Sequence, residues 1–246
     1  VARSAPLRLE ERWMTANEPA KSPRWSSKTS SSKGDSTRHS ILLAATQAFG
    51  DAGFEAVSTR EIARLAKVNQ PAINYYFKGK KELYRACAEA IVGEFTERTE
   101  KAALDAFALL QSRTTPAPAR LREALSRLIS ELSVVLISSD RHQYWSAFVA
   151  REIRNPGPAH EVIFKQLWEP GIELVARLIS AIKGKPETDP QSRIEAIFLL
   201  SSLVGFGAGR AVPLRIMGWT GIGTPEQQMI KQVIDQQIAA ITGDAG

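Results

Sequence analysis

Apolar residues recur at three- and four-residue spacing from Thr37 onward, and this spacing predicts helices almost to the end of the chain. Ile41, Leu42, Ala45, Ala48 and Phe49 fall on one stripe of a first helix that stops near Gly50 to Gly53. A second helix opens at Ser58, whose hydroxyl is placed to cap it while Glu61, three residues on, reaches back to the cap amide. The apolar Ile62, Ala63, Leu65 and Ala66 follow. Asn69 is the cap of a third helix, which tolerates Pro71 because amides of the first turn have no intrahelical partner. That helix ends near Gly79, and a fourth begins around Lys80 with Leu83, Cys87, Ile91 and Phe95 at four-residue steps. Longer amphipathic stretches cover roughly 101–112, 119–138, 140–154, 158–183, 190–217 and 225–242, separated by turn-forming pieces such as "TTPAP", "NPGP", "KGKPETDP" and "WTGIGTP". Strand-like alternation is absent from the sequence. The expected fold class is all-α: an N-terminal three-helix helix-turn-helix domain over 37–85, then a larger C-terminal helical bundle over 86–246.

Charge divides the chain in the same way. The net charge is +6, but residues 1–36 carry seven Lys/Arg against four Asp/Glu, residues 37–85 eight against four, and residues 86–246 seventeen against eighteen. A basic front and a near-neutral remainder point to a polyanionic partner for the first part and a different task for the second. Residues 1–36 include "SPRWSSKTSSSKGDS", too polar to offset its ordering entropy, and read as a disordered basic tail. Its arginines and lysines either add weak phosphate contacts or are simply solvated. The single cysteine, Cys87, excludes an intramolecular disulfide, suits a reducing cytoplasm and reads as a small core residue. No apolar run reaches the eighteen or so residues of a membrane span.

The chemistry concentrates in residues 69–81. Asn69, Gln70, Asn74, Tyr75, Tyr76, Lys78, Lys80 and Lys81 crowd onto and just past the third helix. Asn and Gln pair bidentately with base edges, and tyrosine hydroxyls and lysines hold phosphates. Two short helices joined by a tight turn form either a helix-turn-helix, whose second helix enters the major groove, or an ordinary helical hairpin inside a bundle. A helix buried within a bundle would not gather so many hydrogen-bonding and cationic groups.

Residues 37–86 resemble the DNA-binding domain of the TetR family of bacterial transcriptional regulators. The matching features run in order over about fifty residues: the helix "ILLAATQAF", the "GF" turn, "STREIA", the turn "AKVN", the recognition helix "QPAINYYF" and the following "KGKKELY". The resemblance implies that Gln70, Pro71, Ala72, Asn74 and Tyr75 approach base edges, and that Thr37, Ser58, Thr59, Tyr76, Lys78 and Lys80 hold phosphates. Tyr76 is equally placed to pack under the recognition helix. Lys67 stands where the family usually has glycine, and either strains the turn or adds a phosphate contact. Farther on, "YWSAFVAREIRNPGPAHEVIFKQLWEPGIELVARLI" and "FLLSSLVGFGAGRAVPLRIMGW" look similar to the CecR-like branch of that family.

Residues 86–246 are thereby expected to bind a small-molecule effector and to pair two chains. Helix 190–217 mixes Ile194, Ile197, Phe198, Val204, Ala211 and Val212 with Ser201, Gly205 and Gly207, and small residues permit close helix approach. The last helix opens with Thr224, Pro225 and Gln227 and carries Ile230, Val233, Ile234, Ile238 and Ile241. The resemblance makes these two helices a four-helix homodimer interface; burial within one chain is the alternative. Tyr144, Trp145, Phe148, Arg151, Phe164, Trp168 and Phe206 offer aromatic walls and a charge for an apolar or amphipathic effector, or else serve as core.

His39, His142 and His160 are far apart and form no nucleophile or metal constellation with one cysteine, so no catalysis, cofactor or metal is expected. The expected protein is a cytoplasmic, ligand-responsive repressor that binds a palindromic double-stranded operator and no membrane. An activator, a constitutive regulator without a ligand, and a helical adaptor that has lost its DNA contacts are the alternatives.

Overall fold

The computed structural model describes residues 33–137, 140–207 and 209–243. Among them there are helices and connecting turns and no strand, as the spacing of apolar residues required. The predicted basic tail lies outside the described residues except for its last few positions. These join the first helix, α1, which runs Lys33–Ala52 and so begins ahead of Thr37.

Helices α2 (Thr59–Leu65) and α3 (Gln70–Phe77) start where their caps placed them. The Ser58 hydroxyl oxygen accepts from the Glu61 amide at 3.1 Å, and Asn69 Oδ1 accepts from the Ala72 amide at 3.1 Å. The turn between them is a Schellman motif: Val68 N donates to the Ala63 carbonyl at 3.0 Å and Lys67 N to the Arg64 carbonyl at 3.2 Å. This motif needs a left-handed residue, and Lys67 supplies it at φ 56°. Lys67 therefore strains the turn, since a side chain in this region costs about 1 kcal/mol relative to glycine. Lys67→Gly should raise the melting temperature by several degrees, a gain of about 1 kcal/mol. A phosphate contact from the exposed lysine would appear separately, as a shallower salt dependence of DNA binding.

The fourth helix, α4, spans Lys80–Leu110 without interruption, so the stretch expected separately at 101–112 is its second half. The hydroxyls of Thr96 and Thr99 donate to the carbonyls of Val92 and Phe95, so these polar groups in its middle are satisfied within the helix. Helices α5 (Pro118–Ile137) and α6 (Asp140–Arg154) match expectation. The 158–183 stretch becomes α7 (His160–Ile163), a π-helical turn at Phe164–Trp168 and α8 (Glu169–Ile182). Helix 190–217 is broken into α9 (Pro190–Phe206) and α10 (Ala211–Met217), bent by 73°. The break falls at Gly207, where a Cβ would sit 3.0 Å from the Leu136 carbonyl oxygen and 3.1 Å from Ser146 Oγ, so the close packing there favours glycine. The final helix, α11, covers Thr224–Thr242, capped by Glu226 Oε2 accepting from Gly223 N at 2.8 Å. Glu226, rather than Gln227, therefore closes its first turn.

Two apolar cores result. One joins α1–α3 and the start of α4 to Trp145, Phe148 and Val149 of α6 and to Ile163 of α7. The other lies among α4, α5, α8, α9 and α11. Leu132 and Leu136 of α5 touch both. Cys87 is fully buried in the first core, and burial pushes its thiol up to about 12, so it packs as a neutral apolar group.

Candidate functional site

Helix α3 is held by one face and offers the other. Ile73 and Phe77, four residues apart, are buried in the first core, while Gln70, Pro71 and Asn74 are exposed and Tyr75 is 81 % exposed. Ala72 and Tyr76 are half-buried against that core, with the Tyr76 ring edge-on to Tyr75 at 4.9 Å. Tyr76 thus packs at the flank of the helix and does not stand free on its outer face.

The residues expected near phosphates ring this helix. Ser58 and Thr59 sit at the start of α2, and Thr59 Oγ1 accepts from Gln70 Nε2 at 3.4 Å, tying the two helices together. Capping uses a lone pair of Ser58, which leaves its O–H able to donate. Lys78 is exposed just past α3 in a left-handed conformation, φ 57°. Lys80 is partly restrained: its ammonium lies 4.5 Å over the Phe54 ring and 3.4 Å from the Glu55 carbonyl. Thr37 lies half-buried near the start of α1.

A dense junction fixes this unit to α6. The Tyr84 hydroxyl donates to Glu152 Oε1 at 2.6 Å, and Glu152 Oε2 accepts from Gly157 N at 3.0 Å. Burial, reinforced by that carboxylate, raises the Tyr84 pKa far above the ordinary phenol range. Arg151 donates to the carbonyls of Gly50, at 2.8 Å, and Asp51, satisfying the open C-terminal end of α1. At Gly50 a Cβ would fall 2.7 Å from the Tyr144 carbonyl oxygen. Gly50→Ala should therefore force α1 and α6 apart and cost about 1–3 kcal/mol of stability, visible as a lower urea midpoint with unchanged helix content.

Behind the junction, α4, α5, α6, α7, the π-helical turn, α8 and α9 line a cavity of about 510 Å³. Phe164 and Trp168 line it, as the sequence suggested, together with Phe95, Leu128, Leu132, Val149, Ile153, Ile172, Leu200 and Val204. Its polar groups are Thr96, Thr99, Ser146, His160, Gln166 and Ser201. The other aromatic candidates lie elsewhere. Trp145 and Phe148 are 2 % and 0 % exposed in the first core, Tyr144 Oη accepts from Gln47 Nε2 at 3.2 Å, and Phe206 packs against the second core. Arg151 is engaged at the end of α1. Thr99 and the aliphatic wall were missed because nothing in their spacing separates a lining residue from a core one.

A third feature is an exposed apolar face. Ile194, Ile197 and Phe198 of α9 lie at helical spacing, with Phe198 71 % exposed, and Val212 and Ile216 of α10 and Met229 and Val233 of α11 are also exposed. No single helix among the described residues is long and apolar enough to cross a membrane; only the bent pair α9–α10 has that composition.

Two stretches of the chain match known families. Residues 41–87 match the model of "Bacterial regulatory proteins, tetR family", and residues 121–244 that of the C-terminal domain of the HTH-type transcriptional dual regulator CecR. The chain is 30 % identical over 209 residues to HTH-type transcriptional dual regulator CecR of Shigella flexneri, covering 85 % of this chain and 92 % of that one. Its fold resembles a transcriptional regulator from Rhodococcus sp. Rha1 (TM-score 0.58, 19 % identity, 85 % of this chain and 98 % of that one). It also resembles AibR, solved in complex with isovaleryl coenzyme A and operator DNA (TM-score 0.54, 14 % identity, 83 % and 97 %). The protein belongs to the TetR family of transcriptional regulators, with a CecR-type C-terminal domain.

Proposed function

We propose that the protein is a cytoplasmic homodimer that binds a palindromic operator through α3 and leaves it when a small apolar or amphipathic effector enters the cavity. The observation that carries this reading is the path of α4. It starts at Lys80, three residues after the last residue of α3, and its Phe95, Thr96 and Thr99 form part of the cavity wall. A ligand that displaces this wall moves the recognition helix, and by linkage the operator weakens effector binding by the same factor. The apolar face of α9 and α11 supports pairing, because a second copy would bury Phe198, Ile194 and Val233. Two-fold symmetry then sets the recognition helices roughly 34 Å apart, in successive major grooves. Gln70, Pro71, Ala72, Asn74 and Tyr75 read bases in this arrangement, and Thr37, Ser58, Thr59, Tyr76, Lys78 and Lys80 hold phosphates.

Repression is the simplest consequence of operator occupancy. Action as an activator at some promoters is a second reading, favoured by the dual-regulator name of the relative that aligns over 85 % of the chain. Selecting genomic fragments with the purified protein tests the proposal. Enrichment of a few palindromic sites upstream of genes is expected, and recovery of fragments without shared sequence would overturn it.

A further inference from the structure

Among the described residues, the cavity lining contains no aspartate, glutamate, lysine or arginine. Two charged groups adjacent in sequence to lining residues are engaged elsewhere. The Glu152 carboxylate accepts from Tyr84 and Gly157, and Lys165 pairs with Glu161 at 3.0 Å, both of these last two side chains being largely exposed. A charged effector would give up its hydration for walls that return no counter-charge.

One polar group in the lining has its chemistry fixed by a neighbour. His160 Nδ1 lies 3.0 Å from the Glu152 backbone oxygen. A carbonyl only accepts, so Nδ1 must carry a proton, and in the tautomer that this hydrogen bond selects Nε2 is the acceptor. The ring sits in an aromatic group, stacked on Phe164 at 6.2 Å and edge-on to Trp168 at 5.6 Å, and all three residues line the cavity. The hydroxyl protons of Thr96, Thr99 and Ser146 are directed to carbonyls at Val92, Phe95 and Leu136, so these groups too meet a ligand mainly as acceptors.

Building on the effector-controlled reading above, we infer that the cavity selects an uncharged, largely aromatic or aliphatic molecule bearing a hydrogen-bond donor, such as a hydroxyl or phenol, and that Nε2 of His160 receives that donor. The specificity is one of donor against no donor. A site built to pair a ligand hydroxyl discriminates against an analogue lacking it more sharply than apolar walls discriminate between shapes.

Calorimetric titration of the full chain at neutral pH with four probes of one skeleton tests this: 4-phenylphenol, 4-methoxybiphenyl, biphenyl-4-carboxylate and 4-(aminomethyl)biphenyl. The phenol should bind about tenfold more tightly than the ether, consistent with one hydrogen bond, and the anion and cation should both bind more weakly than the phenol. In His160→Phe, which keeps an aromatic ring beside Phe164 and Trp168, phenol and ether should become equal. Equal affinities for phenol and ether in the unmodified protein, tightest binding by either charged probe, or no binding by any of the four would overturn the inference. The unmodified protein alone decides it should the variant not fold. Titration of a selected DNA fragment in parallel separates the two proposals: DNA bound but probes ignored refutes only the effector class, whereas probes bound without any specific DNA refutes operator control.

Discussion

Phe198→Glu should leave each chain folded yet split the dimer, and with it lower operator affinity by about a hundredfold or more. Phe198 is 71 % exposed in the single chain, so a carboxylate there meets water and disturbs neither core. Across a two-fold interface the same carboxylate would be buried without a partner, beside its symmetry mate and among Ile194, Ile197 and Val233. Truncating or charging a central aromatic anchor commonly costs 2–4 kcal/mol, about 30- to 1,000-fold in the dimer constant. A monomer also loses the second half-site, whose binding is intramolecular once the first is engaged. Sedimentation would report the dissociation, and circular dichroism would show the helices intact. A variant that remains dimeric and keeps its DNA affinity would remove α9 from the interface.

The second large effect is expected in the recognition helix. Asn74→Ala combined with Tyr75→Ala should reduce operator affinity strongly while leaving the melting temperature within a degree or two. Both side chains are exposed, and the cap that starts the helix, at Asn69, and the anchors Ile73 and Phe77 are untouched. Each base-reading contact is worth about 1–3 kcal/mol, and a dimer loses it twice, so one contact per chain already predicts a loss of about 30- to 20,000-fold. Binding to random DNA should fall much less, because in the proposed arrangement Ser58, Thr59, Lys78 and Lys80 hold phosphates and would carry that component. Equal losses on operator and random DNA would mean that these residues hold the backbone and do not read sequence.

The caps were the most legible part of the fold. Ser58 and Asn69 marked helix starts because their side chains satisfy amides a few residues away, a local interaction that needs no tertiary information. The continuity of α4 and the break between α9 and α10 were not legible. In the first, Thr96 and Thr99 interrupt the apolar spacing, yet their hydroxyls are satisfied by carbonyls of their own helix. The second falls at Gly207, whose close packing on Leu136 and Ser146, some sixty to seventy residues earlier in the chain, is a tertiary contact.

The binding surfaces divide in the same way. The outer face of α3 follows from eight consecutive residues and their helical period. The cavity is assembled from seven segments, and whether an aromatic residue lines it or fills a core depends on how each helix is rotated. Trp145 and Phe148 on α6 turn toward α1 and α4, whereas Val149 and Ile153 reach the cavity. Arg151 looked like a ligand's counter-charge and instead closes the end of α1, because the free carbonyls there are created by a helix a hundred residues away.

The most direct test of the central claim is a titration of the best selected DNA fragment at several salt concentrations, with the number of chains per fragment measured in the same experiment. Two chains per palindrome, nanomolar affinity and a logarithmic salt slope steeper than about −4 are expected for a dimer whose Lys78, Lys80 and neighbouring groups neutralise phosphates in both half-sites. One chain per site with weak, sequence-indifferent binding would contradict the account.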